Sequence, residues 1–207
     1  DMPRERLLEL KMLLSYRDRL LKQKNALLVA AKESYECFGN ATTQFILDDS
    51  QEIIVQYDQK LKDVERRIME CIREDEELRQ NYDLGTSVVG VGPIIIAYIL
   101  VQTNNFRLYS PREYACHTGV APHEHSSGTN LPQRRTTSKM ANKKMKTLLT
   151  NGANSAIMYD PQLKLYYNRK VKEGKNKYSV LNAVRFKLIA RVFSVVKRGT
   201  PYVKMAH

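Results

Sequence analysis

Leucine returns every seventh residue through the first part of the chain, at Leu7, Leu14, Leu21 and Leu28, and Tyr35 continues the series. Leu13, Leu20 and Leu27 run beside it as a second seam. A seven-residue apolar period keeps one stripe of an α-helix turned toward a partner helix, whereas a strand needs a period of two. Pro3 behind Asp1 suits the first turn of such a helix, and Gly39-Asn40 suit its end. Asp49 with Glu52 three residues later resembles a capping box and is expected to open a second helix. That helix carries Ile54, Tyr57, Leu61, Val64, Ile68 and Cys71; Asp75 interrupts it and Leu78 resumes the seam. These patterns predict an antiparallel coiled-coil hairpin over residues 1–82, or half of an intermolecular bundle. Two leucine seams exceed what one partner helix covers, so the arm is expected to form a homodimer or higher homo-oligomer. An elongated helical domain with a single buried stripe would share the periodicity.

Charge divides the chain at the same place. Residues 1–82 carry 14 Lys and Arg against 17 Asp and Glu, whereas residues 83–207 carry 20 against 5. The second part is therefore at +15, a field suited to a polyanion, and nucleic acid fits it better than an acidic membrane surface. The longest apolar run, Val88 to Val101, is broken by Gly90, Gly92 and Pro93, so no membrane span is expected, and no signal peptide is recognisable. Three scattered cysteines, Cys37, Cys71 and Cys116, suggest a reducing cytosol without a disulfide framework.

Within 83–207, Val89-Gly90-Val91-Gly92-Pro93 separates two short helical stretches in the manner of a helix–hairpin–helix. Glycines there let a turn approach a phosphate, and Pro93 would start a helix whose free N–H groups attract an anion. A tight turn between apolar helices explains the same residues. The predicted fold class is thus mainly α: the hairpin arm, then a small helical domain containing a helix–hairpin–helix.

The next segment holds His117, His123, His125, Ser126, Ser127 and Gly128. If residues 123–127 are extended, His123, His125 and Ser127 share a face, which would set an imidazole near a hydroxyl as general-base catalysis requires. Arg134, Arg135, Lys139, Lys143, Lys144 and Lys146 follow, as phosphoryl transfer would need. Cys116, His117, His123 and His125 offer a rival zinc reading, but their spacing matches no paired ligand pattern, so no metal site is predicted. Further helices are expected before Asp160-Pro161, over Leu163–Val171 and over Ser179–Val196. The last carries Arg185 close to its apolar face, where a guanidinium needs a partner or a phosphate.

The ordered set Gly119-Val120-Ala121-Pro122, Ser126-Ser127-Gly128 and Ser138-Lys139-x-x-Asn142-Lys143 resembles the C-terminal domain of the DEDD insertion-sequence transposases. That family includes the insertion-sequence 110 group and the Piv invertase. Asp160-Pro161, Tyr166-Tyr167, Arg185 with Lys187-Leu188, and Gly199-Thr200-Pro201-Tyr202 extend the likeness. Tyr16-Arg17-Asp18-Arg19-Leu20 resembles the family's coiled-coil linker. The resemblance implies DNA strand exchange through Ser127, with Ser126 as second candidate and His125 as possible support. It implies a structured bridge RNA as guide, and a ribonuclease-H-like domain whose four carboxylates hold magnesium. Gly90, Gly92, Arg134, Arg135, Lys139, Asn142, Lys143, Lys146, Arg185 and Lys187 are the expected nucleic-acid contacts. No cofactor is expected on this chain itself, and a bacterial cytoplasm, at the nucleoid, is the expected location. That carboxylate domain is not among these residues and is expected to lie outside them, so this chain is expected to bind nucleic acid without recombining it alone. The alternatives are a non-catalytic helix–hairpin–helix module on a dimerising coil, a tyrosine recombinase, and a coiled-coil scaffold that leaves the +15 half unexplained.

Overall fold

The computed structural model describes residues 5–122 and 141–203. Among them are eight helices and no strand, so the chain is mainly α as its periodicity predicts. The helices are α1 Glu5–Phe38, α2 Ala41–Arg73, α3 Glu76–Thr86, α4 Pro93–Gln102, α5 Pro111–His117, α6 Lys143–Tyr159, α7 Pro161–Lys172 and α8 Lys177–Arg198. They fall into two compact units, Asp1–Glu76 and Glu77–His207.

The first unit is the packed pair α1 and α2. Ion pairs Arg67–Glu9 (2.8 Å), Arg17–Glu65 (2.7 Å) and Lys24–Asp58 join residues that advance along α1 while retreating along α2, so the helices are antiparallel. The turn between them is Gly39-Asn40. Gly39 takes φ +53°, the left-handed conformation that suits glycine at a helix end. Asn40 Oδ1 accepts from Thr43 N–H at 2.9 Å while Thr43 Oγ1 accepts from Asn40 N–H at 3.0 Å. This reciprocal cap corrects the predicted start at Asp49 and Glu52, which lie inside α2. The orphan N–H groups of α2 are already satisfied at Asn40, so the chain reverses in two residues rather than crossing a longer loop.

Burial in this pair is uneven. Leu7, Leu10, Leu14 and Leu20 of α1 and Leu61, Val64, Ile68, Cys71 and Ile72 of α2 are buried. Nearer the turn, Ala31, Thr43 and Ser50 are the buried residues, while Val29, Tyr35, Phe38, Phe45, Ile46, Ile53 and Val55 are exposed. Tyr35, expected to continue the seam, therefore faces outward. Burial also pushes the Cys71 thiol up to about 11, and its Sγ donates to the Arg6 carbonyl at 3.7 Å.

The second unit is built on α6 and α8, which pack on each other; α6 also meets α4 and α7, and α8 meets α5 and α7. Met145, Leu149, Ala153 and Ala156 of α6 enter the core with Val184, Leu188, Ile189 and Val192 of α8. Spacings of three and four, with Leu188 and Ile189 side by side, put each set on one helix face. By contrast α4 is buried over Ile95–Leu100, as expected of a helix apolar on all sides. Small residues set the closest approach. A Cβ on Gly90 would lie 2.3 Å from the Gly152 carbonyl oxygen, and one on Gly152 would lie 2.4 Å from that of Gly90. Gly90 also holds φ +91°, so both backbone conformation and contact demand glycine there.

Candidate nucleic-acid interface

Of the residues expected to carry chemistry, His125, Ser126, Ser127, Arg134, Arg135 and Lys139 lie outside the described residues. Their flanks are described, and those flanks meet. Ser110 caps α5 together with Glu113, and the helix ends at His117. Gly119 follows at φ +68°, where a Cβ would stand 2.7 Å from that of Ala141. Asn142 N–H donates to the His117 carbonyl at 3.1 Å. Both sides of residues 123–140 thus join at the C-terminal end of α5.

From this junction α6 begins. Asn142, expected to hold a nucleic-acid backbone, accepts from Met145 N–H at 3.0 Å and so caps the helix. Lys143, Lys144 and Lys146 crowd the first turn, which carries no acidic residue. Helix dipoles are positive at this end, so these lysines oppose the dipole unless an anion lies among them. Lys143 is exposed, and Lys144 Nζ rests 4.9 Å from the Tyr98 ring centroid.

The hairpin glycines have different surroundings. Gly90 is covered by α6 through Gly152 and Ala156. Gly92 has nothing within 4 Å of an added Cβ and caps α4 without a side-chain hydrogen bond, with Pro93 following. An open cleft of about 550 Å³ runs beside them, lined by Ser87, Gly92, Asn151 and Ser155 among others. Gly92 is therefore the hairpin glycine with room for a phosphate.

Arg185 and Lys187 sit two residues apart on α8, about 200° around it, and so point to opposite sides. Lys187 Nζ lies 4.5 Å from the Tyr166 ring centroid, in a groove of about 750 Å³ that Arg169 and Arg191 also line. Arg185 is buried. One of its terminal nitrogens donates to Asn182 Oδ1 at 3.0 Å, and Asn182 Nδ2 donates in turn to the Val120 carbonyl. Burial lowers the Arg185 pKa, with no carboxylate acting against it.

Sequence reasoning did not find the cluster around Asp160. This carboxylate is 1% exposed. It accepts from Leu163 N–H at 2.9 Å, capping α7, and from Tyr202 O–H at 2.9 Å; it also pairs with Arg191 at 2.8 Å. Arg191 lies over the Tyr202 ring and donates to Gln162 as well. Burial pushes the Asp160 pKa up, but these hydrogen bonds and the Arg191 charge outweigh it, leaving the carboxyl below its ordinary value. The Asp160-Pro161 and Tyr202 motifs, far apart in sequence, are thus one structural unit. Beside α5, Cys116 turns inward with Sγ donating to the Pro122 carbonyl, while His117 stacks on Tyr109 at 5.4 Å. These neighbours do not converge, and the described residues contain no His, Cys, Asp and Glu group able to hold a metal.

Residues 83–168 match the family described as Transposase IS116/IS110/IS902 family. Over 170 residues the chain is 21% identical to the pilin gene-inverting proteins of Moraxella bovis and Moraxella lacunata, which covers 81% of this chain and 52% of each relative. It spans about half the length of the curated relatives it matches. The stretch that matches the family model runs from the hairpin through the α5–α6 junction into α7.

Proposed function

We propose that this chain is the DNA-handling part of a transposase or site-specific recombinase. The observation that carries the reading is the family match across residues 83–168, which include Ser127. The names of the two relatives, which invert a pilin gene, point to the same class of reaction. Ser127 is the nucleophile: its oxygen bonds to a DNA phosphorus and displaces a deoxyribose oxygen. His125 receives the serine proton, and the leaving oxygen gains one. Ser126 is the reserve candidate. Cations are needed because charge gathers on the phosphate oxygens as the bond exchanges. Lys143 and Lys146 at the α6 terminus, Arg185, and Arg134, Arg135 and Lys139 supply them, while Lys187, in the α7–α8 groove on the other side of α8, holds nucleic-acid backbone away from the reacting phosphate. Ser127 acts with the carboxylates of a ribonuclease-H-like domain. The described residues contain no set to hold the magnesium that such a domain implies, so no step is assigned to that metal.

A bridge RNA choosing the DNA partners belongs to the same reading, supported by the resemblance and by the +15 charge of residues 83–207. Residues 1–82 are the oligomerising coiled-coil arm; exposed Phe38, Phe45 and Val55 near its turn support that role. The decisive experiment is Ser127→Ala in the full-length protein. Strand joining should vanish while DNA binding stays within about threefold, since the serine hydroxyl contributes little to phosphate attraction. Unchanged recombination would remove Ser127 from the chemistry and favour a non-catalytic helix–hairpin–helix module.

A further inference from the structure

Arg185 is 9% exposed, and its Nε has no hydrogen-bond partner. A guanidinium carries five N–H donors, yet the structure gives this one a single acceptor, Asn182 Oδ1. Asn182 cannot turn to offer more, because its Nδ2 is held by the Val120 carbonyl. Nor is it an anion, so it leaves the charge uncompensated. Among the described acids of the second unit, Glu77 pairs with Arg107, Glu113 accepts from Ser110 N–H, Asp160 pairs with Arg191 and Glu173 with Lys170, and none of the ion pairs of the described residues involves Arg185. Burial lowers the Arg185 pKa. A shielded guanidinium without a counter-ion is among the least favourable arrangements a fold can hold, and its fork of donors matches two oxygens of one phosphate.

We propose that Arg185, steadied by Asn182, is a socket for a single phosphate of a nucleic-acid backbone, beside Val120 at the C-terminal end of α5. This rests on the nucleic-acid-handling role and adds a division of labour to it. Lys143, Lys146 and Lys187 supply diffuse attraction that salt screens. Arg185 fixes which phosphate sits at the junction from which the chain continues toward Ser126 and Ser127, and so sets the register of the strand.

The test pairs two measurements on the 207-residue chain and on Arg185→Met and Arg185→Lys. Fluorescence anisotropy with a labelled DNA duplex over a salt series reads the nucleic-acid arm. Melting in inorganic phosphate, against sodium chloride of equal ionic strength, reads the free-anion arm. Arg185→Met should weaken duplex binding roughly tenfold and make its salt slope shallower by about one. Arg185→Lys should keep the slope but lose at least about threefold in affinity, because an ammonium lacks the fork; circular dichroism checks both folds. Phosphate should raise the melting temperature of the parent chain and not that of Arg185→Met. If the parent binds duplex and both variants bind it with parent affinity and slope, the socket is wrong while the wider role stands. If the parent ignores duplex but phosphate stabilises it through Arg185, the socket stands and the nucleic-acid role falls. No response in either arm removes both.

Discussion

Helix α8 carries two arginines in opposed circumstances. Arg191 faces α7 and is fully engaged: Asp160 neutralises it, Gln162 accepts from it, and the Tyr202 ring lies beneath it. Arg185, less than two turns earlier, is buried with one neutral acceptor. The same side chain on the same helix is a structural clamp in one place and an unanswered charge in the other. Stability explains the first; it cannot explain the second, which imposes a cost on the folded chain and acquires a purpose once an anion arrives. Where buried polar groups are satisfied, they hold the fold, and where they are left open, they point to a ligand.

The strongest way to break this contrast is Asp160→Ala. It removes the α7 cap, the Tyr202 acceptor and the Arg191 counter-ion together, leaving a shielded cation unpaired. Urea unfolding should register a loss of about 3–5 kcal/mol; a loss under about 1 kcal/mol would mean that water already satisfies the cluster. Acid offers a second view of the same group. The Asp160 pKa is lower in the folded chain than its ordinary 3.8. Its stabilising contribution is therefore present above about pH 4 and disappears as pH falls below that through the folded value. The acid limb of a stability–pH curve should be shallower in Asp160→Ala.

Next in size is Tyr202→Phe, which keeps the ring under Arg191 and deletes only the hydroxyl bonded to Asp160 at 2.9 Å. A hydrogen bond to a charged acceptor contributes about 1.5 kcal/mol or somewhat more. The same unfolding experiment should show that loss, and it should vanish when Asp160 is already Ala, since the two changes touch one bond.

These clusters also mark what the sequence could convey. In residues 83–207 Pro93 was legible as a helix start, and the helices expected before Asp160, over Leu163–Val171 and over Ser179–Val196 fall within α6, α7 and α8, whereas the seven-residue α5 was not foreseen. The leucine period correctly gave α1, but Asp49-x-x-Glu52 misplaced the start of α2. Two surface acids at that spacing look like a capping box, whereas Asn40 and Thr43, the real pair, lack its usual glutamate. The Asp160 cluster was out of reach because its partners come 31 and 42 residues later, at Arg191 and Tyr202, and only the packing of α6, α7 and α8 joins them. Arg185 was partly legible, since its place near an apolar face demanded a partner. Grouping it with Lys187 was natural in sequence, but the helix turns them to opposite sides.

The smallest expected effect is the most discriminating. Arg185→Met should leave the melting temperature unchanged or raise it, a change between zero and about 2 kcal/mol in favour of folding. Methionine has similar length, no charge to desolvate, and enough flexibility to fill the space beside Val184 and Leu188. If Arg185 were a second structural clamp like Arg191, its removal would instead cost several kcal/mol, as Asp160→Ala does, through the Asn182 and Val120 bonds it anchors. A stable Arg185→Met chain that has lost affinity for duplex would separate the two arginines by role. A destabilised one would mean that the guanidinium is already answered inside the fold, and α8 would then carry two clamps rather than a clamp and a socket.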